Sequence, residues 1–223
     1  MKMHRVAAPA GPASTQLWVM LPGAYMKPAD FIEAGFVAAV HRRGLPHDIA
    51  LLEANVAEVA GGSALAFLQS YLQPGGGAGG AARICLLGIS LGAHLALACL
   101  AGASAGGGQA QAAARIDAAC LLAPYLGPRD IIAEVAAAGA FDRWQPGSGW
   151  QADIDRRIWQ WLRLASDAHD LYLGYGSEDR FAHAHALMAQ ALPAGRVDVQ
   201  PGGHSWPVWT GLWRRHLERL YVR

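Results

Sequence analysis

The chain has 223 residues, 53% of them hydrophobic and 16% charged, with a formal net charge of +1. This composition supplies a sizeable core and excludes a disordered chain, and its scattered Lys and Arg offer no electrostatic attraction to nucleic acid or an anionic membrane. No apolar run reaches the roughly 18–20 residues of a membrane span. The three cysteines, Cys85, Cys99 and Cys120, lie in apolar segments and are expected as buried, reduced thiols of a cytoplasmic protein, not as a disulfide framework.

In chain order, residues 1–15 carry basic residues with no apolar segment behind them, and read as an irregular leader rather than a signal peptide. QLWVML (16–21) reads as a strand, and PADFIEAGFVAAVHRRG (28–44) as one helix beginning near Asp30 and closed by Gly44. HDIALLEA (47–54) is a second strand and SALAFLQSYLQ (63–73) a second helix. RICLLGI (83–89) is a third strand, followed by a helix that opens at Ser90. IDAACLLAPY (116–125) and HDLYLGYG (169–176) are the fourth and fifth strands. DRFAHAHALMAQAL (179–192) is helical, RVDVQ (196–200) a sixth strand, and WPVWTGLWRRHLERLY (206–221) a closing amphipathic helix.

The strands are apolar from end to end instead of alternating, which suits parallel strands covered on both faces. Their alternation with helices predicts an α/β fold: a single doubly wound, mostly parallel sheet of about six strands, flanked by helices, in one domain spanning 1–223. PGGGAGG (74–80) and GASAGGG (102–108) read as flexible surface connections. The first contains GxGxxG, but a dinucleotide loop needs a strand before it and a helix after it, and here that order is reversed.

The decisive stretch is LLGISLGAHLAL (86–97), where Gly88 and Gly92 flank Ser90 at a strand-to-helix junction. A sharp turn there lifts the serine out of the sheet and brings its neighbours into close backbone contact, so G-x-S-x-G meets a steric demand. The serine also sits at a helix N-terminus, where free N–H groups favour developing negative charge, and the N–H of Leu91 is placed to face an oxyanion. Ser90 is the candidate nucleophile; the plainer reading is a helix N-cap beside small residues.

LLGISLGAHLAL resembles the nucleophile elbow of the α/β-hydrolase superfamily, in which an acid and then a histidine follow the serine in the chain. The resemblance places the acid in SEDRF, at Asp179 with Glu178 as local rival, and the base at His204 in QPGGHSWPVW. A second oxyanion donor is implied after the first strand, in LPGAYMKP, where proline stands in place of the family's usual histidine; Ala24, or else Tyr25, would supply it. LAPYLG, SEDRF and GGHSWPVW also look like small bacterial esterase-like hydrolases. The resemblance implies a minimal fold lacking two N-terminal strands, with residues 127–166 as a short lid-like insertion.

The implied chemistry is cleavage of a carboxylic ester, a small apolar acyl or aryl ester, through an acyl-enzyme, with a small-molecule ester or thioester as partner and no metal or organic cofactor. A thioesterase or acyltransferase would share the triad, and a non-catalytic binding module on the same scaffold is the rival of another class. A dehalogenase on this fold would generally carry aspartate at the elbow. His183 and His185 invite a metal reading, but side chains two apart on a helix diverge. His94, on the nucleophile's own helix, reads as a packed or hydrogen-bonded residue. Tryptophans default to core packing, yet Trp144, Trp150 and Trp206 are candidates for lining a substrate pocket with Tyr25, and Lys27 lies beside it.

Overall fold

The computed structural model describes residues 1–8, 16–44, 47–102, 107–165 and 169–221. Its seven described strands form one sheet: β1 (Lys2–Val6), β2 (Gln16–Leu21), β3 (His47–Glu53), β4 (Arg83–Ile89), β5 (Ile116–Leu122), β6 (Asp170–Gly176) and β7 (Val197–Gln200). Their spatial order is β1-β3-β2-β4-β5-β6-β7, with β1 antiparallel to β3 and every other pairing parallel. The six strands expected from sequence are therefore all present, and the C-terminal ends of β2 to β7 share one edge. The chain leaves β2 toward β3 and returns to β4 on the other side of β2. Connections departing in opposite directions open a crevice at that edge.

The seventh strand corrects the reading of residues 1–15 as an irregular leader. Lys2–Val6 pairs with β3 in the register Lys2↔Glu53 to Val6↔Ile49, and His4 Nε2 lies 2.6 Å from Glu53 Oε2. Short, charged and half-exposed, it has the makeup of a strand that closes a sheet edge without inviting another chain to pair. Residues 9–15 of that stretch lie outside the described residues.

The single helix expected over 28–44 is two, α1 (Pro28–Glu33) and α2 (Phe36–His41), broken where Gly35 adopts φ +79°. α1 starts earlier than expected because Pro28 suits the first helical turn, and the Asp30 carboxylate reaches back to the Lys27 N–H at 2.7 Å. A short α3 (Val56–Ala60), in a stretch to which the sequence assigns no element, is opened by a reciprocal Asn55–Glu58 capping box. α4 (Ser63–Leu72) follows.

The glycine run after α4 is not the flexible connection its composition suggests. Ala78 is buried, and the Arg115 guanidinium gathers the carbonyls of Leu72, Gly79 and Ala81. In GASAGGG, Gly107 already begins α6 (Gly107–Ala114), whereas residues 103–106 lie outside the described residues.

α5 (Leu91–Ala101) is buried from Gly92 to Ala101 and packs on β2, β4 and β5. A helix apolar all round must be covered on every side, and α4, α6 and α8 (Ile154–Ala165) provide the cover. The opposite face of the sheet is closed by α2 and α10 (Trp206–Tyr221). There Trp18 of β2 meets Trp213 edge-on at 4.9 Å, and Trp213 stacks on Phe36. The connection from β5 to β6 holds α7 (Arg129–Ala137), two single 3-10 turns and α8, and α9 (Ala182–Ala189) follows β6. Cys85, Cys99 and Cys120 are buried free thiols, and burial pushes Cys85 and Cys99 up to about 12. Among the described residues no helix is long and apolar enough to cross a membrane.

Candidate active site

Ser90 stands at the N-terminus of α5 with φ +53° and ψ −112°, a conformation a residue with a side chain seldom adopts. Three hydrogen bonds hold it there. Its N–H donates to Leu122 O at 2.9 Å, and its carbonyl accepts from Tyr125 at 3.0 Å and His94 at 3.1 Å. Strain of this kind persists only where the surroundings over-determine it, and it gathers at functional sites.

The flanking glycines answer the steric demand read from the sequence. A Cβ on Gly88 would lie 2.4 Å from Ala93 Cα, and one on Gly92 would lie 2.0 Å from Leu21 O and 2.7 Å from Pro22 O. The helix N-terminus therefore lies flat against the exit from β2, the loop that carries Ala24 and Tyr25. In that loop the Met26 N–H closes a turn on Gly23 O, and Tyr25 has φ +64° with its ring 91% exposed. The N–H of Leu91, in the first turn of α5, has no partner within the helix by geometry.

Asp179 and His204 meet directly. His204 Nδ1 lies 2.7 Å from Asp179 Oδ2, while Asp179 Oδ1 accepts the Phe181 N–H at 2.9 Å. The aspartate is buried. Burial works to raise its pKa, but the hydrogen bonds from His204 and Phe181 outweigh burial and hold the carboxyl below its usual range. An ionised acceptor on Nδ1 fixes the proton there and leaves the Nε2 lone pair free. Glu178, the local rival, is exposed. The strand ends make the meeting possible: Ser177 and Glu178 N–H groups donate to Gln200 O and Gly202 O, so the Asp179 and His204 loops are stitched together.

The imidazole is clamped between two rings that the sequence reading passed over. Phe181 is edge-on to it at 5.5 Å and Trp209 at 4.9 Å. Phe181 also contacts Tyr125 at 6.1 Å, so one aromatic relay runs from Ser90's hydrogen-bond partner to His204. Among the described residues no hydrogen bond joins Ser90 to His204; contacts of this type tighten when substrate enters. The available signal for Phe181 was its place two residues after the candidate acid.

The tryptophans need redistribution. Trp144 is 2% exposed, inside the core, with its indole N–H on Glu134, so it is packing and not pocket wall. Trp150 lines a separate recess with Glu134, Asp153 and Arg156. Trp206 packs its ring against Phe31, Phe36 and Trp209. Tyr25 and Lys27 line a cleft of about 710 Å³ beside the β2 exit, together with Glu53 and Asn55.

His94 is buried against Tyr125, its Nδ1 3.6 Å from Asp155 Oδ1 of α8, and burial depresses its pKa to about 4. His183 is exposed, whereas His185 is buried with Nε2 on Pro124 O at 2.9 Å, so the two rings diverge. Among the described residues no group of three or more His, Cys, Asp or Glu side chains is arranged to hold a metal ion.

No protein-family model matches the sequence, and no curated protein matches it. Solved structures do match in fold. Esterase 2 of Thermogutta terrifontis superposes with a TM-score of 0.62 at 14% identity, over 98% of this chain and 90% of that one. This chain has the α/β-hydrolase fold. The same α/β-hydrolase arrangement is shared with the fluorophosphonate-binding serine hydrolase F of Staphylococcus aureus (TM-score 0.58, 9% identity, 98% of each chain). S-formylglutathione hydrolase of the same organism gives 0.55 at 10% identity, over 96% of this chain and 82% of that one.

Proposed function

We propose that the protein is a serine hydrolase that cleaves carboxylic esters through an acyl-enzyme. The observation that carries this reading is the hydrogen bond of His204 to the buried, ionised Asp179, at the sheet edge where the strained Ser90 elbow also opens. With Nδ1 protonated, Nε2 of His204 takes the Ser90 proton as Oγ attacks the ester carbonyl. The Leu91 and Ala24 N–H groups stabilise the resulting oxyanion, with Tyr25 the alternative to Ala24. His204 then gives its proton to the departing alcohol, and water activated by the same nitrogen releases the acid. We read the described residues of the segment between β5 and β6, 127–165, as a short lid-like insertion within one hydrolase domain.

Thioester cleavage by the same three residues is the second reading, favoured by the likeness to an S-formylglutathione hydrolase. The test is hydrolysis of p-nitrophenyl acetate and labelling by a fluorophosphonate. Ser90→Ala is expected to abolish both, and labelling that survives this substitution would end the assignment. Matched ester and thioester substrates then decide between the two readings.

A further inference from the structure

A groove of about 370 Å³ runs between α7 and α9, next to the candidate active site. Leu126, Ile132, Ala133 and Ala184 give it an apolar lining, and the Arg129 and Arg180 guanidiniums line it with His183. No acidic side chain lines it among the described residues. Nor does either guanidinium pair with a carboxylate there: Arg180 instead lies over the Phe181 ring, 4.8 Å from its centroid. The nearby carboxylates Asp130 and Asp155 act on Tyr125, and Asp130 acts on Asp155.

The groove meets the reaction centre through Phe181, which lines it and also packs edge-on to the His204 imidazole. Its other wall begins at Leu126, the residue after Tyr125, whose N–H holds the Ser90 carbonyl. We propose that this groove is the leaving-group subsite and that it selects esters whose alcohol part is an apolar, aryl-sized body bearing an anion such as a carboxylate. The assignment rests on the hydrolase reading above. His204 must protonate the departing oxygen, so the group on that oxygen starts beside the imidazole and is carried past Phe181. The apolar lining takes the body, and the two unpaired guanidiniums take the charge in the fork geometry suited to a carboxylate.

The experiment compares 4-carboxyphenyl butyrate with its neutral isostere 4-carbamoylphenyl butyrate, in wild-type protein and in the double variant Arg129→Ala/Arg180→Ala. The carboxylate-to-amide ratio of kcat/KM is expected to fall about five- to tenfold in the variant. Arg129→Lys/Arg180→Lys is expected to recover part of the ratio. An unchanged ratio, including an equal loss on both substrates, overturns the proposal. So does an arginine effect that appears only when the anion is on the acyl side, read with p-nitrophenyl hemiglutarate against p-nitrophenyl valerate. If wild-type protein hydrolyses no ester at all, the hydrolase reading falls instead. The groove is then judged by equilibrium binding of 4-carboxyphenyl butyrate: weaker binding to the double variant upholds the anion site, and equal binding removes it.

Discussion

Ser90 concentrates the tension between stability and chemistry in one backbone angle. At φ +53° its Cβ is crowded, and only the bonds to Leu122, Tyr125 and His94 keep it in place. Glycine adopts that angle without strain, so Ser90→Gly is expected to raise unfolding stability by about 1 kcal/mol while removing hydrolysis. A urea titration read beside a p-nitrophenyl acetate assay checks both halves; a destabilised glycine variant would show that the angle is not strained. Asp179 offers the complementary experiment. Asp179→Asn keeps the side-chain shape but presents a neutral partner to Nδ1, which frees the imidazole to take the wrong tautomer. Activity is expected to drop by about a thousandfold or more, with little change in substrate affinity. A drop confined to KM would place Asp179 outside the reaction.

At the level of elements, the chain announces its repeating parts and hides the joints between them. β4 and α10 occupy the spans their apolar patterns predict, because a fully buried strand and a one-faced helix leave strong periodic signals. β1 escapes because an edge strand needs only a few residues, and KMHRV is too short and too charged to stand out. The latching of the glycine loop by Arg115 is equally silent, since it depends on partners far along the chain, whereas the break at Gly35 is a local left-handed turn inside an otherwise helical pattern. The site divides the same way. Ser90 is a candidate because turn chemistry surrounds it, and Asp179 and His204 are candidates through the resemblance that the elbow carries, whereas Phe181 and Trp209 gain meaning only from the ring they touch. Asp155 is another such residue, set on α8 against His94 of α5. Burial, reinforced by Asp153 and Asp130 and opposed by Arg156, raises its carboxyl to about 6. The folded state thus keeps a proton that the unfolded chain loses near 3.8, and stability falls as pH rises between these values. Asn reproduces the protonated form, so Asp155→Asn is expected to stabilise the protein by about 1–2 kcal/mol at pH 7.5 and to be neutral at pH 4 or below. Denaturant midpoints at the two pH values read it, and an equal shift at both would remove titration as the cause.

Across the whole molecule the dominant pH dependence runs the other way, because three histidines are folded in as neutral rings. Burial holds His94 and His185 at about 4 and His216 at about 3; for His216 the Arg219 and Arg196 charges add to burial. The unfolded chain takes up these protons as pH falls through about 6.5, whereas the folded chain does not until 3–4. The histidine contribution is therefore expected to be level above pH 7 and to decline on acidification. Each ring contributes up to about 1.4 kcal/mol per pH unit, and Asp155 offsets one of the three. His216 isolates the effect. It sits 4.4 Å from Tyr172 and 5.9 Å from Trp213, far along α10 from the candidate site, with Nε2 buried and unpartnered. Phenylalanine fills a similar volume in that aromatic cluster and cannot titrate. His216→Phe is expected to leave stability at pH 8 unchanged or higher, and to flatten the decline between pH 6.5 and 4 by about 1.4 kcal/mol per pH unit. Urea unfolding across that range measures the slope. A variant as acid-sensitive as the wild type would mean that His216 accepts its proton without unfolding the core around it.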